Sequence, residues 1–248
     1  MRINRDTLLK IAQDTVAQRT RADRGIQSVY LCGSLLGEDY LLGGTTDIDL
    51  VFIHIDPPSV GREIVRLTED VHLDIAHHGE KDYRQARRLR DHRWLGPTIA
   101  ECKILYDPHH LMDFTQASVR GQFYETDHVL ARVRPQAEHA RQIWLSLSQG
   151  TANAGQAELA LYLRSVEHAA NAVAGLSGLP LTERRFLLDF PQRAEAVGHP
   201  GLFPGILGLL GAPETDTAAV QDWLPSWQEA IEAIPPEAVP RLHPARIS

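Results

Sequence analysis

The stretch Asp47-Ile48-Asp49-Leu50-Val51, joined later in the chain by Leu73-Asp74-Ile75, constrains this protein more than any other feature. Aliphatic and β-branched runs of this kind build strands, yet three carboxylates interrupt them, and a carboxylate buried without a partner is costly. In a strand, residues two apart point to the same face, so Asp47 and Asp49 project together while Ile48 and Leu50 face the other way. Two carboxylates so close repel unless a cation sits between them. The pattern asks for strands with one apolar face and one face that gathers cations.

The flanking sequence supplies further elements. Asp6 to about Gln18 carries Leu8, Ile11, Ala12 and Val16 at helical spacing, with Asp6 placed to cap the first turn. Ser28 to Cys32 reads as a strand that ends abruptly at Gly33-Ser34, Asp47 to Ile55 as a second, and Val71 to Ala76 as a third. Val60 to Leu67 fits a short helix or a loop. Beyond about Thr115 the texture changes to long helical patterns separated by Gly/Pro-containing breaks. Within them Leu159, Leu163, Val166, Ala170 and Val173 give the helix from Gln156 to Ala174 an apolar face suited to a bundle core. The last residues, 235–248, contain four prolines and cannot continue a regular helix. The expected organisation is an α+β domain over 1–114, an all-α helical domain over 115–234 and a Pro-rich tail over 235–248.

Composition narrows the function classes. With 248 residues, 43% hydrophobic and 23% charged, the chain is an ordinary globular one. Its formal charge of −7 disfavours a surface built to grip nucleic acid, which concentrates Lys and Arg. The exception is Lys81 to Arg93, where six basic residues stand against two acids. A solvated helix face and a phosphate-facing patch through Arg84, Arg87 or Arg88 both fit it. Cys32 and Cys102 lie in apolar surroundings and read as small buried thiols, not as a disulfide framework. No signal-peptide-like run opens the chain and no stretch reaches the roughly 18 apolar residues of a membrane span, so the expected location is the cytoplasm, with no membrane partner.

The chemistry follows from the acids. Hard oxygen ligands suit Mg²⁺ or Mn²⁺, which keep several waters and also accept oxygens from a substrate phosphate. Asp74, on a neighbouring strand, supplies a third carboxylate. A two-metal site can bridge a triphosphate, activate an attacking hydroxyl and stabilise a leaving pyrophosphate without a covalent nucleophile. Gly33-Ser34 is the complementary half: glycine permits close backbone approach, and the following amides with the Ser34 hydroxyl can bind phosphate.

Together, Gly33-Ser34, a twelve-residue spacer, Asp47-Ile48-Asp49 and the later strand acid Asp74 resemble the nucleotidyltransferase superfamily that includes DNA polymerase β and the aminoglycoside nucleotidyltransferases. The likeness covers roughly Ile26 to His78. It implies a nucleotidyltransferase-type mixed sheet with flanking helices, followed here by a helical domain like that of the small-molecule enzymes. It further implies that Gly33 and Ser34 bind the nucleoside triphosphate, that Asp47 and Asp49 ligate Mg²⁺ or Mn²⁺, and that Asp74 completes the metal site facing the attacking hydroxyl. A short helix over Leu35 to Leu42 fits the family spacer. The expected reaction moves a nucleoside monophosphate, such as AMP, onto a hydroxyl of a small molecule. The alternative is an antitoxin-like or regulatory nucleotide-binding protein that acts on a protein partner.

Two weaker features read as structural. His77-His78 is a polar strand end, since no zinc-like set accompanies it. Glu158 and Glu167 are solvent-facing helix charges.

Overall fold

The computed structural model describes residues 4–149, 155–182, 185–212 and 215–234. The expected break between Ser148 and Gly155 falls mostly outside them, and the Pro-rich tail at 235–248 falls wholly outside. The described residues group into two compact units. Among the described residues, one unit draws on 4–89, 98–121 and 223–234, the other on 90–97 and the described part of 122–222.

The first unit opens with helix α1 (Arg5–Ala22). Its N-cap is Asn4, whose Oδ1 accepts the Thr7 amide at 2.8 Å, so Asp6 is not the cap as expected. Asp6 lies inside the first turn instead, where a carboxylate still favours the positive end of the helix. Strands β1 (Ile26–Cys32), β2 (Thr46–His54), β3 (Arg62–Arg66), β4 (Val71–Gly79) and β5 (Lys103–Tyr106) form one sheet in the order β3-β4-β2-β1-β5. β2 and β4 are parallel and every other neighbouring pair is antiparallel, so the sheet is mixed.

Two expectations in this region are corrected. Residues 60–67 hold neither a helix nor a loop but the edge strand β3, whose Ile64 and Val65 suit a pleated surface while Arg62 and Arg66 suit an outer edge. The spacer after Gly33-Ser34 holds only a single 3₁₀ turn at Ser34–Leu36 instead of a helix reaching Leu42. Beyond that turn the chain is tied down by polar contacts: the buried Thr46 hydroxyl donates to the Tyr40 carbonyl at 2.8 Å. Leu42 and Thr45 form an isolated bridge.

The apolar face expected of β2 is present. Ile48, Leu50 and Phe52 pack with Val29 and Leu31 of β1, Leu73 and Ile75 of β4, and Leu8, Ala12 and Val16 of α1. Burying such side chains contributes roughly 1.5–3 kcal/mol each. The alternation that commits Ile48 and Leu50 to this layer turns Asp47 and Asp49 to the opposite face. The unit also contains the short helices α2 (Ala86–Leu89) and α3 (Leu95–Glu101), the latter shared with the second unit, and α4 (Leu111–Arg120). Gln116 of α4 donates to the carbonyls of Ile99 and Cys102, both at 2.8 Å.

The second unit is helical. It contains α5 (Thr126–Ser148), α6 (Gln156–Ser177), α7 (Phe186–Ala196), α8 (Leu202–Leu209) and the start of α9 (Thr217–Glu232). Val166, Ala170 and Ala174 of α6 form a core with Leu181, Phe190, Ala194 and Ile206. The expected α6 face is only half right: Leu159 and Leu163 stay 57% and 45% exposed. Periodicity names a face, and the partner that covers it reaches only the later turns. No described helix is long and apolar enough to cross a membrane.

Candidate functional site

The parallel register of β2 and β4 sets Asp47 beside His72 and Asp49 beside Asp74. Residues paired across a ladder share a face, and so do residues two apart along a strand. Asp47, Asp49 and Asp74 therefore share the face turned away from α1, with Asp74 buried at 4% exposure. Asp47 Oδ1 lies 3.8 Å from Nδ1 of His72, itself buried. The His72 Nε2 has no hydrogen-bond partner among the described residues.

Gly33 follows β1 directly and faces Asp49. Its φ of 78° lies in the left-handed half of the map, where a side chain is strained. A Cβ built there would sit 2.9 Å from the Asp49 Cγ and would overlap the carboxylate itself. Glycine is thus required twice, by backbone conformation and by the carboxylate packed against it. Ser34 begins the 3₁₀ turn, its hydroxyl 3.5 Å from the Tyr40 carbonyl. Arg5 of α1 reaches across to that turn, donating to the carbonyls of Leu35 at 3.1 Å and Leu36 at 2.9 Å. Because α1 holds the turn and β1 pairs Cys32 with Asp49, the Gly-Ser turn and the acids belong to one rigid neighbourhood. Among the described residues, no group of three or more His, Cys, Asp or Glu side chains is placed to hold a metal ion together, so Asp47, Asp49 and Asp74 share a face without forming a ready three-acid site.

Sequence reasoning missed Arg62. Its guanidinium grips Asp74 as a fork, Nε donating to Oδ1 at 2.6 Å and Nη2 to Oδ2. Ile64 pairs with Asp74 and Arg62 with Ala76, so the arginine reaches its acid from two residues along the edge strand. A strand reading of residues 62–66 would have put Arg62 on the acidic face. Cys32, beside Asp49 in the ladder, is a free thiol; desolvation and then the Asp49 charge push its pKa well up. Burial pushes the free thiol of Cys102 up to about 12, so both cysteines are protonated and inert at neutral pH.

The weaker candidates resolve elsewhere. His77-His78 stand at the polar end of β4, as expected, although the strand runs on to Gly79 instead of stopping at Ala76, and the two rings point to opposite faces. His77 bonds Glu63 at 2.8 Å and His54 at 2.9 Å, within a chain that continues from Glu63 to Arg19 at 2.8 Å. His78 Nδ1 meets the Tyr83 hydroxyl at 2.6 Å, which in turn meets Tyr30 at 2.9 Å. Arg84 lies 3.4 Å from Glu80, Arg87 and Arg88 are exposed, and Arg90 is buried against Gln122 and His128. Glu158 accepts the Gly155 amide at 2.9 Å and so caps its own helix, while Glu167 is exposed.

No family model and no curated protein matches the chain. Among solved structures it is similar to a nucleotidyltransferase-like protein from Exiguobacterium sibiricum, at 15% identity over 82% of this chain and 75% of that one, with a TM-score of 0.38.

Proposed function

We propose that this protein is a metal-dependent nucleotidyltransferase that transfers a nucleoside monophosphate, such as AMP, from a nucleoside triphosphate to a hydroxyl of a small molecule. The observation that carries the reading is the β2–β4 register, with Asp49 beside Asp74 and Asp47 two residues away on the same face. A second support is Gly33, whose backbone packs against the Asp49 carboxylate in a conformation other residues resist.

The donor set fits the group the reaction needs. Carboxylate oxygens suit Mg²⁺ or Mn²⁺, ions that keep several waters and take further oxygens from a bound phosphate, so two protein carboxylates suffice to hold one. Asp47 and Asp49 hold the ion, Gly33 and Ser34 receive the triphosphate, and Asp74 completes the acidic face on the side of the attacking hydroxyl. When bound, the ion activates that hydroxyl and stabilises the leaving pyrophosphate. The acceptor oxygen forms its bond to the α-phosphorus as the bond to pyrophosphate breaks.

Incubation with α-labelled nucleoside triphosphates, Mg²⁺ and a panel of hydroxyl-bearing acceptors tests the reading. Transfer of label that disappears in Asp47→Asn and Asp49→Asn supports it, and transfer undiminished in those variants contradicts the site.

A further inference from the structure

We propose that Arg62 is the resident counter-cation of Asp74, which a divalent ion must displace before the third carboxylate can serve the site. This makes Arg62 a positioning residue, and the inference rests on the metal-dependent reading above. Asp74 is almost fully buried, and a carboxylate in that position needs a charge partner. Arg62 supplies it bidentately, one nitrogen to each oxygen. A hard cation competes for the same oxygen lone pairs.

The pair is asymmetric in a way that permits exchange. The Asp74 side chain is 5% exposed, whereas that of Arg62 is 31% exposed and springs from the outermost strand. Guanidinium is weakly hydrated and its aliphatic stem is long, so Arg62 can swing outward while Asp74 stays in place. Asp74 can join a divalent ion only when Arg62 lets go of its oxygens. The released guanidinium is then a cation beside a site that receives a triphosphate, where it pairs with phosphate oxygens.

Titration with Mn²⁺ alone, without nucleotide and at constant ionic strength, tests the inference through the free-Mn²⁺ electron paramagnetic resonance signal. Arg62→Ala should bind Mn²⁺ about tenfold more tightly than the wild type or better, because it removes a unit charge at ion-pair distance from the site. Arg62→Lys, which keeps the charge but not the fork, should fall between them and restore most of the wild-type behaviour. Adding Asp74→Asn to Arg62→Ala should cancel the gain. Should Arg62→Ala fail to fold without metal, its melting with and without Mn²⁺ gives the same reading, since the ion should stabilise it more than it stabilises the wild type. Mn²⁺ affinity unchanged or weakened in Arg62→Ala, while Asp49→Asn abolishes wild-type binding, overturns the role of Arg62 and leaves the proposed function standing. Absence of Mn²⁺ binding from every variant, with nucleoside triphosphate added as well, overturns both.

Discussion

Replacing Gly33 with alanine perturbs the site through two separable effects. The first is conformational: at φ 78° and ψ −161° a side chain costs about 1–3 kcal/mol. The second is steric, because the new Cβ would lie 2.9 Å from the Asp49 Cγ and overlap the carboxylate, which overpacking of this kind makes worth about 1–3 kcal/mol more. Gly33→Ala should therefore destabilise the first unit by roughly 2–6 kcal/mol. In an Asp49→Ala background the Cγ and its oxygens are gone, and the position-49 Cβ remains 3.2 Å from the new methyl, a tight contact but not an overlap. The same substitution should then cost little beyond the conformational part, about 1–3 kcal/mol. Urea unfolding of the four proteins of this cycle, followed by circular dichroism, measures both quantities. A coupling below about 0.5 kcal/mol would show that Gly33 and Asp49 are independent and would refute the close approach.

Other expectations follow from buried polar groups. Glu63, held below the usual carboxylate range first by Arg19, contributes stability present above its unfolded value near 4.5 and lost as pH falls through its lowered folded value. His54, lowered by burial and then by His77, contributes stability present above 6.5 and lost as pH falls through its own lowered value. Melting temperature against pH should thus decline in two stages, with His54→Gln flattening the stage below pH 6.5 and Glu63→Gln the stage below pH 4.5. An acid limb identical in all three proteins would contradict this. Tyr83→Phe should cost about 1–3 kcal/mol, and more than Tyr30→Phe, because the Tyr83 hydroxyl meets both His78 and Tyr30. The double variant should cost clearly less than the sum, and additivity in denaturant unfolding would show that the hydroxyl pair is not coupled.

The parts legible in the sequence are those where local chemistry and long-range packing agree. β1, β2 and β4 announce themselves as apolar or β-branched runs, and alternation in β2 correctly separates Ile48 and Leu50 from Asp47 and Asp49. β3 was illegible because Arg62-Glu63-Ile64-Val65-Arg66 is short and polar, and only pairing with β4 makes it a strand. Arg62 was lost with it, since its reach to Asp74 depends on a register no local pattern encodes. The same holds for Arg5, whose bonds to Leu35 and Leu36 span some thirty residues. At the start of α1, Asn4 and Asp6 are both good capping types two positions apart, and backbone geometry chooses between them. Leu159 and Leu163 show the converse failure, a regular apolar spacing whose first half finds no cover among the described residues.

The central claim is that Asp47 and Asp49 hold a divalent ion through which a nucleoside triphosphate binds. Calorimetric titration of ATP, GTP, CTP and UTP into the protein, with Mg²⁺ and then with excess chelator, tests it without knowledge of the acceptor. At least one triphosphate should bind only when Mg²⁺ is present, and Asp49→Asn should weaken that binding about tenfold or more. Binding that survives the chelator, or that Asp49→Asn leaves unchanged, would contradict the account.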